Sequence, residues 1–120
     1  MKKRIQPLGK ASDLLSSIGN PVRMQILLAL GSGEACVCHL ESQLGLRQAH
    51  LSQQLMILRR MKIITARRSG KYIYYRLVKP EILEIIRAAG RASGEEIVKI
   101  PRRASASCVC PKCDLERSVA

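Results

Sequence analysis

The five cysteines of this 120-residue chain fall into two groups whose spacing suits thiol chemistry. Cys36 and Cys38 are separated by one residue, and Cys108, Cys110 and Cys113 form a Cys-x-Cys-Pro-x-Cys segment. No apolar signal segment follows the basic N-terminus, so we expect a cytoplasmic chain, where clustered cysteines serve as ligands more often than as structural disulfides. Thiolates select soft ions: As(III), Sb(III), Cd, Pb, Hg or Zn. All five cysteines are therefore candidate metal ligands.

The Cys36–Cys38 pair can reach one ion only under a local backbone condition. In a regular helix the two side chains would diverge by about 200°, so they converge only from extended backbone or an unformed first turn. The pair lies at the start of a predicted helix, which permits this, and helix N-terminal amides lower the pKa of a nearby thiol. The alternative is a pair of small hydrophobic residues packing under the helix.

Two thiolates are too few for a tight site, because As(III) commonly binds three sulfurs and a tetrahedral ion binds four. Glu34, His39 or a distant group must contribute, and the tail cysteines are the obvious donors. They could bind an ion of their own, complete the first site within one subunit or across a dimer, or form a disordered, redox-labile end. These arrangements stay open, with As(III) slightly favoured among the ions.

The charge of the chain predicts a polyanionic partner. There are 21 Lys and Arg residues against 9 Asp and Glu, a formal net charge of +12. DNA, RNA and an acidic membrane surface all fit such a charge. No segment approaches the roughly 20 apolar residues of a membrane span. With the helix-turn-helix pattern described below, double-stranded DNA rather than a membrane is the expected partner.

Apolar periodicity predicts five helices and a two-stranded hairpin. Asn20 and Pro21 predict the start of the second helix, and Gly45 the end of the third. The helices cover residues 8–18, 21–30, 39–44, 48–61 and 81–99, and the hairpin covers 63–77. They form one domain over 8–100, between a basic arm (1–7) and a polar, irregular tail (101–120). The last helix has an apolar stripe that a second subunit would cover.

Two helices joined by a short turn and followed by a basic hairpin are typical of a winged helix-turn-helix. The predicted fold is thus mostly α with a small β-hairpin, and dimeric. Amides and hydroxyls on the second of these helices can pair with base edges, while basic residues around it can neutralise phosphates. The candidate DNA-binding residues are Arg47, Gln48, Ser52, Gln53, Gln54, Arg59, Arg67, Arg68 and Lys71.

Three motifs lie in the stretch from Gly19 to Leu77: Asn-Pro-Val-Arg at 20–23, Leu-Ser-Gln-Gln-Leu-Met-Ile-Leu-Arg at 51–59, and Gly-Lys-Tyr-Ile-Tyr-Tyr-Arg-Leu at 70–77. Through these motifs the stretch resembles the ArsR/SmtB family of metal-sensing repressors. This resemblance implies a homodimer joined through the first and last helices, a roughly palindromic double-stranded DNA operator, and release of that operator when a ligand binds.

The resemblance extends to the first cysteine pair. Glu-Ala-Cys-Val-Cys-His-Leu at 34–40 is similar to the family's Glu-Leu-Cys-Val-Cys-Asp-Leu segment, which implies that Cys36 and Cys38 are ligands. Other members hold ions with carboxylates and histidines of the last helix, which here has no histidine, so that site is not expected. His39 is interpreted as a solvated surface residue and His50 as a residue on the DNA side.

These features predict a metal(loid)-responsive repressor. Pulling the thiols toward one ion should distort the start of the helix at 39–44. This helix supports the next one, at 48–61, which is the candidate recognition helix that would read the DNA. A coupling free energy of roughly 1–3 kcal/mol would lower operator affinity about 5- to 150-fold. The alternative is a repressor of the same fold that responds to thiol oxidation or persulfidation. An enzyme is not expected, because the chain has no Cys-x-x-Cys beside a βαβ unit and no Gly-rich phosphate loop.

Overall fold

The computed structural model describes residues 6–98, 100, 108 and 110–119, with side chains up to Leu115 in the last of these ranges. Most of the predicted basic arm, residues 1–5, lies outside the described residues. The elements in chain order are α1 (Gly9–Ile18), α2 (Pro21–Leu30), β1 (Ala35–Cys36), α3 (Val37–Leu44), α4 (Gln48–Arg60), β2 (Ile64–Ser69), β3 (Tyr72–Leu77), α5 (Glu81–Ser93) and α6 (Pro111–Val119).

The ends of the central helices form where the local residue types dictate. The Asn20 side chain accepts hydrogen bonds from the backbone N–H groups of Val22 and Arg23 at the start of α2, as expected of a good N-cap. Gly45 ends α3 in the left-handed conformation, with φ of 66°, which glycine adopts without a Cβ penalty. The turn between α3 and α4 is therefore encoded locally.

The core is aliphatic, as the absence of Trp and Phe requires. Leu51, Leu55 and Leu58 of α4 are all buried in it, together with Leu40 of α3 and Ile86 of α5. α3 packs against α4, so the helix that starts beside the first cysteine pair also supports the candidate recognition helix. Within the described residues, no helix combines the length and apolarity that crossing a bilayer demands.

The hairpin belongs to a three-stranded antiparallel sheet of order β1-β3-β2, so the predicted two-stranded hairpin was incomplete. β1 pairs with β3, with Ala35 opposite Tyr75 and Cys36 opposite Tyr74. A two-residue strand has no periodicity of its own to reveal it. This pairing connects Cys36 directly to the hairpin of β2 and β3, which we call the wing.

The prediction that α5 continues to residue 99 was wrong. Gly94 adopts a φ of 82° and ends the helix. The chain then folds back over Gly90, where an added Cβ would lie only 2.6 Å from Cδ1 of Ile97. Glycines at 90 and 94 therefore stop the helix and make room for the return segment.

The prediction of an irregular tail was also wrong over Pro111–Val119, which form α6, while residues 101–107, 109 and 120 of the tail lie outside the described residues. Proline fits the first helical position, where its missing N–H is not needed. Asp114 lies in the first turn, where a carboxylate stabilises the positive end of the helix dipole. Pro111 and Asp114 are therefore local signals from which the start of α6 could have been predicted.

Candidate metal centre and DNA-facing surface

Four cysteine side chains meet in one buried cluster. The sulfurs of Cys36, Cys108, Cys110 and Cys113 all lie within 4.8 Å of one another. From the Cys36 sulfur, the other three lie at 3.4 Å (Cys108), 3.6 Å (Cys110) and 3.7 Å (Cys113). All four residues are at most 6% exposed, and none is in a disulfide. An all-sulfur donor set of this size fits a single soft ion. We call this group the four-thiol cluster.

Two helix N-termini present backbone N–H groups to the four-thiol cluster. Cys36 caps α3, and its sulfur accepts from the His39 N–H at 3.4 Å. Cys110 immediately precedes α6, and its sulfur accepts from the Cys113 N–H at 3.4 Å. Such donors stabilise a thiolate over a thiol. The sequence therefore places anion-stabilising groups at two of the four sulfurs.

Tyr74, in strand β3 of the wing, packs against the four-thiol cluster. Burial raises the pKa of Tyr74 to about 12, and its hydrogen bond with Cys110 acts in the same direction. Burial alone would raise the pKa of Cys110, but the Cys113 N–H and the Tyr74 hydroxyl outweigh burial and bring it down to about 7. Burial raises the pKa of Cys108. One thiol of the cluster is thus close to ionisation near neutral pH.

Cys38 lies outside the four-thiol cluster, half-buried at its edge. Its side chain forms a hydrogen bond with Cys108. It lines an open cavity of about 350 Å³, together with Lys71, Tyr72 and Cys108. Of the two residues of the first pair, the structure brings only Cys36 into the group of mutually close sulfurs.

His39 is buried, so its interpretation as a solvated surface residue was wrong. It is 1% exposed. Its Nε2 is 2.9 Å from Oε1 of Gln43, and its Nδ1 is 3.9 Å from the Cys113 sulfur. Because α3 begins at Val37, residue 39 lies in its first turn and faces the cluster. The sequence carries no local signal that distant tail residues cover this face.

Glu34, a candidate further ligand from the sequence, is not part of the four-thiol cluster. It forms ion pairs with the wing and with the tail helix α6. Its carboxylate accepts two hydrogen bonds from Arg67, at 2.8 and 3.0 Å, and lies 3.6 Å from Nζ of Lys112. The hydrogen bonds from Arg67 and, to a smaller extent, the charge of Lys112 lower the pKa of Glu34 to about 2, against the opposing effect of burial. One carboxylate therefore connects β2 with α6.

Glu34→Gln should loosen this connection. We expect about two- to fivefold tighter operator binding, because Arg67 is then free to contact a DNA phosphate. The effect should be small, because an exposed ion pair contributes little free energy. In the wild type the depressed pKa of Glu34 (about 2 against 4.5) means that the ion pair is complete above pH 4.5 and is lost as the pH falls toward 2. The protection factors of the α6 amides, which correct for the intrinsic exchange rate at each pH, should therefore fall over that range.

The matched control is Glu96→Gln, which makes the same charge change at an exposed position beyond α5. Exchange of α6 and operator affinity should match the wild type in this variant. Equal effects of both substitutions would show that only net charge matters, and would contradict a local link at Glu34.

Most candidate DNA-binding residues are exposed on α4 or the wing. Gln54 is half-buried, and its Oε1 accepts a hydrogen bond from Nη1 of Arg23 at 3.0 Å. Arg67 is held by Glu34 and stacks over Tyr74, with its guanidinium carbon 4.9 Å from the ring centroid. The exposed candidates are Arg47, Gln48, Ser52, Gln53, Arg59, Arg67, Arg68 and Lys71. His50, interpreted from the sequence as a residue on the DNA side, is exposed as well.

Comparison with known proteins decides the family. The pattern described as bacterial regulatory protein, arsR family, matches residues 20–66. The biofilm growth-associated repressor of Xylella fastidiosa (strain Temecula1) is 38% identical over 88 residues, which are 73% of this chain and 75% of that protein. The chain belongs to the ArsR/SmtB family of transcriptional repressors.

Two further ArsR/SmtB-family proteins support this assignment. The HTH-type transcriptional repressor SmtB of Mycobacterium tuberculosis (strain CDC 1551) is 34% identical over 91 residues, 76% of this chain and 67% of that repressor. The crystal structure of the AntR antimony-specific transcriptional repressor superposes with a TM-score of 0.67 at 29% identity, over 78% of this chain and 86% of that one. The predicted winged helix-turn-helix fold, family and non-enzymatic class are confirmed.

Proposed function

We propose that this ArsR/SmtB-family repressor binds operator DNA as a homodimer and releases it when a thiophilic metal or metalloid ion binds the four-thiol cluster. The observation that carries the proposal is the meeting of four buried sulfurs from two distant parts of the chain. Buried thiols stabilise the fold weakly by themselves, whereas an ion among them joins the tail to the wing. Related repressors include one named antimony-specific.

Cys36 is the residue through which ion binding would reach the DNA-facing surface. It caps α3, which packs against α4. It also pairs with Tyr74 in the wing strand β3. An ion that draws the Cys36 sulfur toward the tail sulfurs would therefore shift both the support of α4 and the wing. Two recognition helices of a dimer must match the groove spacing, so a small tilt is costly.

The homodimer is supported by apolar surface at α1 and α5. Leu15 is 54% exposed, although it lies in a helix with a buried apolar face. An apolar cavity lies between the two helices, lined by Leu14, Ile63, Val78, Ile82 and Ile85 among others. A second copy that packs here would bury the exposed Leu15 and Val78 and the half-buried Leu14 and Ile85, consistent with the dimers typical of the family.

Operator release is tested by measuring fluorescence anisotropy of labelled operator DNA while adding As(III), Cd, Pb, Hg or Zn under reducing conditions. At least one ion should lower operator affinity about 5- to 150-fold, and DNA should weaken ion binding by the same factor. If none of the ions that bind the cluster changes operator affinity, the proposal is contradicted.

A redox-responsive repressor is the second candidate, favoured by the hydrogen bond between half-buried Cys38 and Cys108. A peroxide could oxidise these two thiols to a disulfide, taking up two electrons and two protons as it is reduced to water and an alcohol or a second water. Excess monothiol reductant separates the two functions. Ion-driven release survives it, whereas disulfide-driven release is reversed.

DNA contacts by the exposed residues of α4 and the wing are part of the proposal. Gln53→Ala should weaken operator binding and relax sequence preference at one base pair, at a cost of about 1–3 kcal/mol. Arg68→Ala should weaken binding to all sequences alike and reduce the slope of log affinity against log salt by about 1. Anisotropy titrations on operator and unrelated DNA at several salt concentrations measure both. Equal losses on both DNAs for Gln53→Ala would argue against base reading.

A further inference from the structure

The spacing of the four sulfurs allows one ion to bind all of them in a tetrahedral arrangement. A tetrahedral site with metal–sulfur bonds of about 2.3 Å has sulfur–sulfur edges of about 3.8 Å. The separations from Cys36 to the other three sulfurs are 3.4, 3.6 and 3.7 Å. These three edges would lengthen only slightly on coordination, and all six sulfur–sulfur separations are within 4.8 Å. Zn²⁺ and Cd²⁺ have filled d shells and accept four thiolates in this arrangement.

The number of buried sulfurs distinguishes these ions from As(III) and Sb(III). The latter keep a lone pair and bind three thiolates in a pyramid, so one cluster thiol would remain uncoordinated beside the ion. All four residues are almost fully buried, so an uncoordinated sulfur could not turn to water. A four-coordinate ion leaves none of them unused.

The charge of the complex favours the same class. A divalent ion displaces the thiol protons to solvent, and with four thiolates the complex carries two negative charges. As(III) with three thiolates is neutral. The cluster is built to hold negative charge, because the N–H groups of His39 and Cys113, each in the first turn of a helix, point at the Cys36 and Cys110 sulfurs. These donors stabilise the dianion and contribute little to a neutral complex.

We infer that the four-thiol cluster is a tetrahedral tetrathiolate site for one divalent d¹⁰ ion, Zn²⁺ or Cd²⁺, and that it discriminates against three-coordinate As(III) and Sb(III). The inference rests on the proposed function for its biological meaning but concerns only the coordination chemistry of the site. It replaces the slight preference for As(III) that the sequence suggested. It also separates this chain from its antimony-specific relative.

The test is a binding titration of the full chain with Cd²⁺, Zn²⁺ and As(III), in buffer with a phosphine reductant, together with X-ray absorption of each loaded protein. Cd²⁺ should show four sulfur neighbours. Single serine variants of the four cluster residues should each weaken Cd²⁺ binding about 100-fold or more, because even partners outside the coordination sphere contribute about 10- to 100-fold. Far-ultraviolet circular dichroism checks that each variant is folded.

Cys38→Ser is the discriminating variant, because it makes the same chemical change 2 residues from Cys36 but outside the cluster. The serine hydroxyl can keep the hydrogen bond with Cys108, so Cd²⁺ affinity should fall by less than about tenfold, the lower end of the effect of a partner outside the coordination sphere. Three sulfur neighbours around Cd²⁺, a loss in Cys38→Ser as large as in the cluster variants, or As(III) bound more tightly than Cd²⁺ would each overturn the inference.

The outcomes also separate the inference from the proposed function. If Cd²⁺ is bound by four sulfurs but operator affinity stays unchanged, the site assignment holds and the repressor proposal fails. If As(III) binds more tightly than Cd²⁺ and releases the operator, the proposal holds and the ion class is wrong.

Discussion

Replacing Cys36 with serine should abolish the ion-driven loss of operator affinity and weaken ion binding by about 100-fold or more. The Cys36 sulfur is within 3.7 Å of all three tail sulfurs, so its loss removes the centre of the cluster. Serine is a poor ligand for soft ions. It is, however, a good N-cap, and its hydroxyl can accept from the His39 N–H that Cys36 now binds. The start of α3 should therefore be preserved.

Because Cys36→Ser removes the sulfur but keeps the N-cap of α3, a lost ion response can be attributed to lost ion binding rather than to unfolding. Anisotropy titration of the variant with and without Cd²⁺ measures the release, and thermal unfolding checks the fold. A well-folded variant that still releases its operator at wild-type Cd²⁺ concentrations would contradict the role assigned to the cluster.

Truncation of the chain after Arg103 should leave the aliphatic core intact and eliminate the ion response. The main core cluster consists of residues between Ile18 and Ile86, with Ile97 and Ile100 packed at its edge. The truncation therefore removes none of its members, but it removes three of the four sulfurs. We expect a cooperative unfolding transition, operator binding, and no release by Cd²⁺.

The same truncation should uncover Tyr74, which is 3% exposed in the full chain. Burial is the main reason why its pKa is raised to about 12. Spectrophotometric titration of the tyrosines should therefore show this pKa falling toward the ordinary value of 10. Unchanged tyrosine titration would mean that α6 does not cover the wing.

A full-length variant with serine at 108, 110 and 113 provides the matched control for the truncation. It keeps the tail and removes only the thiols. Both proteins should lose the ion response. If only the truncated chain loses the ion response, the tail acts through its packing or charge and not through its sulfurs. The four-thiol cluster would then not be the sensor.

The DNA-binding half of the molecule could be predicted from local signals. The cap at Asn20, the stop at Gly45 and the apolar period of α4 specify the helices that form the helix-turn-helix. The change to a period of two at Ile64 specifies the wing strands. Each of these signals acts within a few residues, where the backbone conformation is determined by propensity, capping and burial of one face. The family resemblance lies in the same residues.

The sequence by itself thus determined a winged helix-turn-helix of basic charge, with thiols in two groups suited to soft ions. Only the tertiary structure decided how the groups combine. Cys36 meets Cys108 and Cys113 across 72 and 77 residues, and β1 reaches β3 across nearly 40. No periodicity or spacing encodes such contacts, because they depend on where separate elements pack. For that reason Cys38, only two residues from Cys36, lies outside the cluster. His39, expected in solvent, is buried against it.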